Sequence, residues 1–458
     1  MSEDTSMLNE PLHATRNACK VCAPLGAAMV FKGVSGCLPF LHGSQGCATY
    51  IRRYMISHFR EPVDIASSSF SEEDAIFGGS RNFKAGVGNA ILQYEPELIG
   101  VATTCLSETI GENMIAMIRD SQKDVEITSR TPLVHVSTPA YNGSHSEGFH
   151  AAVKAMVTHF AHIDAPAHAS PTLNIMPGMV SCADLRHLRE LAGLFGMNAV
   201  LLPDYSDTLE GASWDAYHRL SPGGTKVAEI RSMGRSLGSV ELGHTLTTGE
   251  SAGAWLEKSF DVPNFPLGLP MGLRFCDRLM GALAAISGRA TPQSLLAERG
   301  RLLDSYVDAH KYLSGVKAAV TGEPDLVIAM AGFLSEIGIR PVICATGTKP
   351  RHFKELLAGE MEGGIEDVSI IPGSDHHRLE AAVREAKPDL IIGTSKAMPL
   401  ARALGIPLLR SGFPIHDRFG AQRELTLGYR GTQALFDRIV NALLEHRQES
   451  NPIGYSYL

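Results

Sequence analysis

Long apolar runs are missing from this sequence. No stretch approaches the ~20 consecutive apolar residues that a helix needs to cross a bilayer, so no membrane span is expected. Positive charge is also scarce: 41 lysines and arginines stand against 49 aspartates and glutamates in 458 residues, a formal net charge of −8. Phosphate backbones are bound by clustered positive charge, so no nucleic-acid partner is expected. Phosphate-cradling loops are absent as well. There is no GxxxxGK followed by Ser or Thr, and GVGNAILQ and GGTK fit neither that loop nor a dinucleotide fingerprint. The chain is therefore not expected to hydrolyse ATP itself. The start, MSEDTSMLNEPLHATRNACK, is polar and acidic early, unlike a signal peptide or an arginine-rich transit peptide. Cysteine is sparse too, at eight residues. In a long chain without a secretion signal these do not make a disulfide scaffold. In a reducing cytoplasm, where the chain is expected to reside, they are core thiols, metal ligands or reactive groups.

What is present is a globular composition, 44% hydrophobic and 20% charged. Short apolar runs ending in turn residues alternate with helical periodicity. The clearest are PELIGVATTC (96–105), PLVHVSTP (132–139), TLNIMPG (172–178), AVLLPD (199–204), RPVICATG (340–347), DLIIGTS (389–395) and IPLLRSG (406–412). Fully apolar strands alternating with helices imply parallel sheets covered on both faces. In such sheets ligands meet the loops at the carboxyl ends of strands. HIDAPAHASP (162–171) reads as a linker, and GRATPQSLLAERGRLLDSYVDAH (288–310) as a long helix leading into a further unit. The expected architecture is α/β, with three doubly wound, Rossmann-like parallel-sheet domains over residues 1–165, 166–310 and 311–458.

Three cysteines fall at expected helix starts. Cys105 ends the strand LIGVATTC, before LSETIGENMIAMIRD. Cys47 closes the glycine-rich turn HGSQGC, before ATYIRRYMISHF. Cys22 precedes APLGAAMVF, where Pro24 suits a first helical turn. Exposed N–H groups and the helix dipole there should lower a thiol pKa and favour thiolate, the form that binds iron or zinc. Their separations of 25 and 58 residues match no compact zinc finger. A site built from them would be assembled by the fold, and iron–sulfur clusters are held by such thiolates. The bland alternative is that a cysteine is a small buried hydrophobe, and that is expected for Cys37, Cys182, Cys276 and Cys344. Cys19 makes a lone C-K-V-C with Cys22, a weak signal for redox or zinc chemistry. The pair His376 and His377 reads as a surface turn. HLRE (187–190) lacks the second histidine of a zinc helix, and HFREP (58–62) reads as an internal salt-bridge and turn motif.

The words VCAPLGA, FLHGSQGCATYIRRYMISHFREP, SSSFSEEDAIFGG and TTCLSETIGEN resemble the β-type subunits of nitrogenase component 1. The resemblance is dense over residues 17–150 and continues to LGIPLLRSGFPIHDRFGAQRELTLGYRGTQALFD near the end. It implies the component 1 type of three-domain fold and a cluster shared with an α-type subunit, either P-cluster-like 8Fe-7S or 4Fe-4S. It implies an α2β2 heterotetramer served by an ATP-dependent iron protein. The family's β-type ligand positions fall here on Cys22, Cys47 and Cys105. Where the molybdenum enzyme's β subunit has a serine that adds an oxygen ligand to the oxidised cluster, this sequence has Ala140, in VSTPAYNGSH. Nearby Ser137, Tyr141 and Ser144 are expected to be structural.

Two functions of different class follow from the resemblance. One is the β-type subunit of a nitrogenase-like reductase, most like those of methylthio-alkane reductases. It would help ligate a cluster that relays electrons to a catalytic cluster in the α-type subunit, and hold no catalytic residue of its own. The other is the N-type subunit of the scaffold on which the iron–molybdenum cofactor is built. The NACKVC word already begins at residue 17, with no long amino-terminal arm before it, which favours the N-type and nitrogenase-like members. The presence of all three thiols favours the reductase.

Overall fold

The computed structural model describes residues 19–123, 131–141, 143–162, 170–246 and 250–453. The start of the chain, and all but the ends of the stretch read as a linker, lie outside these residues. Among the described residues thirteen strands form three sheets, and every pairing between them is parallel. The first sheet holds β1 (Cys37–His42), β2 (Ala66–Ser67), β3 (Leu98–Thr103) and β4 (Leu133–Val136), in the order β2-β1-β3-β4. The second holds β5 (Thr172–Met176), β6 (Asn198–Leu201), β7 (Ser239–Leu242) and β8 (Asn264–Leu267), in the order β6-β5-β7-β8. The third holds β9 (Lys317–Gly322), β10 (Arg340–Thr346), β11 (Ser369–Pro372), β12 (Leu390–Gly393) and β13 (Leu408–Arg410), in the order β11-β10-β9-β12-β13. No described helix is long and apolar enough to cross a membrane.

These orders are doubly wound. The strand sequence reverses between β1 and β3, between β5 and β7, and between β9 and β12, leaving a crevice at the carboxyl ends of each pair. Every residue of β1 and β3 is buried, as strands covered on both faces require. β1 was hidden in the sequence because its apolar word CLPFLH contains a proline and leads into a glycine-rich turn. The long helix expected over 288–310 begins only at Gln293, after a break at Gly288, and runs to Leu313.

The centre of the molecule is the helix Ala23–Lys32, buried at every position. It lies against the helix His145–Phe160 with two glycines at the contact. A Cβ on Gly26 would stand 1.8 Å from the carbonyl oxygen of His145, and one on Gly148 would stand 2.0 Å from that of Ala23. Neither oxygen can move without unwinding a helix. On the other side the ring of Phe31 rests on Gly100 of β3, where an added Cβ would meet it at 2.2 Å. The central helix is thereby fixed against the first sheet, and Cys22 with it.

HFREP departs from the expectation of an internal salt bridge. Arg60 takes a left-handed conformation (φ 63°) at the end of its helix and donates to the carbonyl of His416 at 3.1 Å. The Glu61 carboxyl is pushed up from its usual range by partial burial and the nearby Glu210. His58 is buried, and its Nδ1 accepts the N–H of Ile415 at 3.0 Å. The motif is a tether from the first sheet's helices to the loop after β13.

Two predictions come from these contacts. Gly26→Ala should destabilise the chain by roughly 3 kcal/mol, because the clash is with backbone, and a lowered thermal midpoint would register it. Burial pushes the His58 pKa down to about 3, so the folded chain refuses a proton that the unfolded chain takes near its ordinary value of 6.5. Stability should therefore fall as pH drops from about 6.5 toward 3. His58→Asn, which keeps an acceptor but cannot protonate there, should show a smaller midpoint loss between neutral and mildly acidic buffer.

Candidate functional site

The paired strands β1 and β3 end together, His42 beside Thr103. Each chain then turns outward into a helix. After β1, Ser44 caps the helix Gln45–Phe59, its hydroxyl accepting the N–H of Gly46 at 3.3 Å, and Cys47 sits in the first turn. After β3, Thr104 caps the short helix Cys105–Thr109, whose first residue is Cys105. Cys47 and Cys105 thus flank the crevice where the first sheet reverses its strand order. Cys22 is the cap residue of the helix Ala23–Lys32, with Pro24 in the first turn. All three stand at helix starts as expected from sequence.

Cys22 and Cys105 are exposed and Cys47 is partly so, whereas Cys37, Cys182, Cys276 and Cys344 are buried. Burial pushes the Cys22 thiol up from its ordinary value, helped by the field of Cys105. Burial likewise pushes Cys47 up, helped by Cys22 and then Cys105. Cys22, Cys47 and Cys105 are therefore within electrostatic reach of one another. The direction overturns the expectation that helix starts would favour thiolate here. Burial and the neighbouring thiols outweigh the lysines Lys20 and Lys396 at Cys22.

The surroundings hold this geometry. The Ala140 N–H donates to the Cys105 sulfur at 3.3 Å. The loop carrying Ala140 is tied to β3: Thr138 Oγ1 donates to the Thr103 carbonyl at 2.7 Å, and Ser137 Oγ donates to Glu108 at 2.6 Å. Glu108 also accepts from the Thr103 hydroxyl, and Ser107 Oγ donates to the His42 carbonyl at 2.9 Å. His42, fully buried, packs its edges on Phe70 and Phe83 and bonds Glu112. Ser144 caps the helix His145–Phe160. Lys20 and Lys396 bring positive charge toward Cys22. Of these, Glu108 and Glu112 were legible only as the acidic stretch after TTC, Lys20 only as the centre of C-K-V-C, and Lys396 not at all.

Cys19 is separate in character. It is three-quarters buried among the loops of the third sheet, its N–H donating to the Ser374 carbonyl at 3.3 Å, and burial holds its thiol at about 11. His376 opens the helix His376–Ala386 and is half-buried near Lys396, not a surface turn. His187 is buried, with Nδ1 3.3 Å from Glu190.

Among the described residues no three His, Cys, Asp or Glu side chains close on a single metal position. That does not disqualify the thiol trio for a cluster, in which each thiolate takes a different iron. The donor chemistry suits one: three solvent-accessible thiols, one already receiving an N–H, and two lysines near Cys22.

The fold and its helix-start thiols define a class, confirmed by comparison with known proteins. The family model for nitrogenase component 1 type oxidoreductases matches residues 22–444. The nitrogenase molybdenum-iron protein beta chain of Methanococcus maripaludis is 33% identical, with 98% of each chain covered. That of Clostridium pasteurianum is 35% identical over 94% of this chain and 93% of its own. A chain of a solved structure described as nitrogenase Cp1 at pH 6.5 superposes with a TM-score of 0.93, at 32% identity and 98% coverage of both. The chain belongs to the nitrogenase component 1 type oxidoreductase family. Within it, the chain is a β-type subunit.

Exposure makes a direct check available. In the chain purified without metal, alkylation at mildly alkaline pH should label Cys22 and Cys105 first, read by peptide mass spectrometry. Cys37, Cys182, Cys276 and Cys344 should be labelled only after denaturation.

Proposed function

We propose that this chain is the β-type subunit of a nitrogenase-like reductase, holding an interface iron–sulfur cluster through Cys22, Cys47 and Cys105. What supports it is that Cys47 and Cys105 open the helices that follow the paired ends of β1 and β3, and that Cys22 opens the helix packed against that sheet, within the unit proposed over residues 1–165. The cluster, P-cluster-like 8Fe-7S or 4Fe-4S, would supply one-electron transfer between an ATP-dependent iron protein and the α-type subunit. The chain's own residues give it thiolates, an N–H to Cys105 sulfur and cationic neighbours at Cys22.

Three thiolates leave room for ligands from elsewhere, and large side chains beside them are exposed. Tyr50, on the helix that carries Cys47, is 63% exposed, and Tyr141, next to Ala140, is 59% exposed. Leu106, beside Cys105, is also exposed. A rim of large apolar side chains around half a ligand set is what a sister subunit would cover. An α2β2 assembly with an α-type partner follows. The β chains named among the relatives belong to a molybdenum-iron protein, which supports a reductase over a scaffold. Methylthio-alkanes remain the substrate class suggested by the resemblance.

A second reading, the N-type subunit of the cofactor scaffold, is favoured by Ala140. Its methyl group offers no oxygen where a redox-active β subunit carries a serine ligand. The two part on one preparation. The complex with its α-type partner, purified without oxygen and supplied with iron protein and ATP, should reduce substrate if it is the reductase. A complex that instead yields a cofactor precursor on transfer to an apo-enzyme would be the scaffold.

The ligand assignment has its own test. Changing Cys22, Cys47 or Cys105 singly to Ala should lower the iron content of the complex and slow its turnover at least tenfold. Full iron in all three variants would refute it. Cys19→Ala should leave the iron count unchanged.

A further inference from the structure

The third sheet sends one side chain into the thiol site. Lys396 lies in the single turn Ser395–Ala397 that follows β12, with its N–H on Thr394 Oγ1 at 3.3 Å. Its ammonium donates to the carbonyl of Lys20 at 3.2 Å, two residues before Cys22. The same ammonium stands 5.8 Å from the ring centre of Tyr54, on the helix that carries Cys47. Lys20 passes the connection on. Its Nζ donates to the carbonyls of Ala140 and Gly143, each at 3.1 Å, and the Ala140 N–H reaches the Cys105 sulfur. One lysine of the third sheet therefore touches, directly or through Lys20, the segments that present all three thiols of the first.

Position and charge act in the same sense. Lys396 is partly buried, where water screens its charge less than at the open surface, and its field and that of the Cys22 sulfur act on each other. Burying several thiolates costs free energy unless cations stand near them.

We propose that Lys396 is a positioning residue of the cluster site, holding the Cys22 segment by its backbone and offsetting the negative charge of the bound sulfurs. The inference rests on Cys22, Cys47 and Cys105 being cluster ligands. A fixed cation beside a redox group favours its more negative, reduced state. Removing the cation makes reduction harder.

The test uses the full complex with its α-type partner, purified without oxygen. Iron is counted, and the cluster's midpoint is read by redox titration followed by electron paramagnetic resonance. Lys396→Met should keep most of its iron and shift the midpoint to more negative potential, while Lys396→Arg stays near wild type. Should Lys396→Met not be recovered as a complex, Lys396→Gln, which retains a donor without charge, should show the same shift. An unmoved midpoint in the uncharged variants refutes the proposal, and so does equal iron loss in the Met and Arg variants, which would mark a purely steric tether. A wild-type complex without iron would overturn the cluster assignment itself; an iron-replete wild type with unresponsive variants overturns only the role of Lys396.

Discussion

The parallel pairing of β1 with β3 is the constraint on which the rest depends. Six consecutive residue pairs, from Cys37 with Leu98 to His42 with Thr103, bring two strand ends to the same level. The chain winds away in opposite directions on either side of this pair. The turn after one strand carries Cys47, and the cap after the other carries Cys105. A slip of one residue along either strand would exchange the side chains that fill the two apolar layers on either face, so the packing that fixes the register also fixes where the thiol-bearing turns begin. Chemistry at the crevice is thereby stabilised by hydrophobic packing well away from it.

Cys22 reaches the same place by another route. Its helix is held between the first sheet and the helix His145–Phe160, at a separation only glycine allows. The Val21 carbonyl accepts the His145 N–H at 3.0 Å, so the residue before the thiol is pinned to the start of that neighbour. From the far side, the loops of the third sheet hold Cys19 and Lys20. The amino-terminal strap 19–22 thus bridges two sheets, and a thiol at its end is placed by both. This explains why Cys19 and Cys22, three residues apart, differ so much: one is anchor, the other is presented.

Much of this was legible in the sequence, for physical reasons that differ by element. Strands such as LIGVAT and RPVICAT are apolar through their middles, and double-sided burial leaves that mark. β7, β8, β9 and β11 carry polar or proline residues and went unread. The helix-start thiols were visible because a turn residue or proline stands beside each. Their electrostatics were not, since a pKa depends on neighbours distant in sequence, and here burial and mutual repulsion reversed the expected direction. Lys396 lies 374 residues from Cys22 in the chain, and no local word announces it.

Ser137 is already committed to Glu108, and Ser144 to the start of its helix. With alanine at position 140, the serines of the loop beside Cys105 offer no idle hydroxyl, and Tyr141 is the exposed hydroxyl that stays beside it. A metal assembly seated here would find no serine oxygen to take up as its oxidation level changes. Any rearrangement that accompanies loss of electrons, and any proton released with it, would have to be accommodated across the seam, making the two halves of the complex unequal custodians of its redox history.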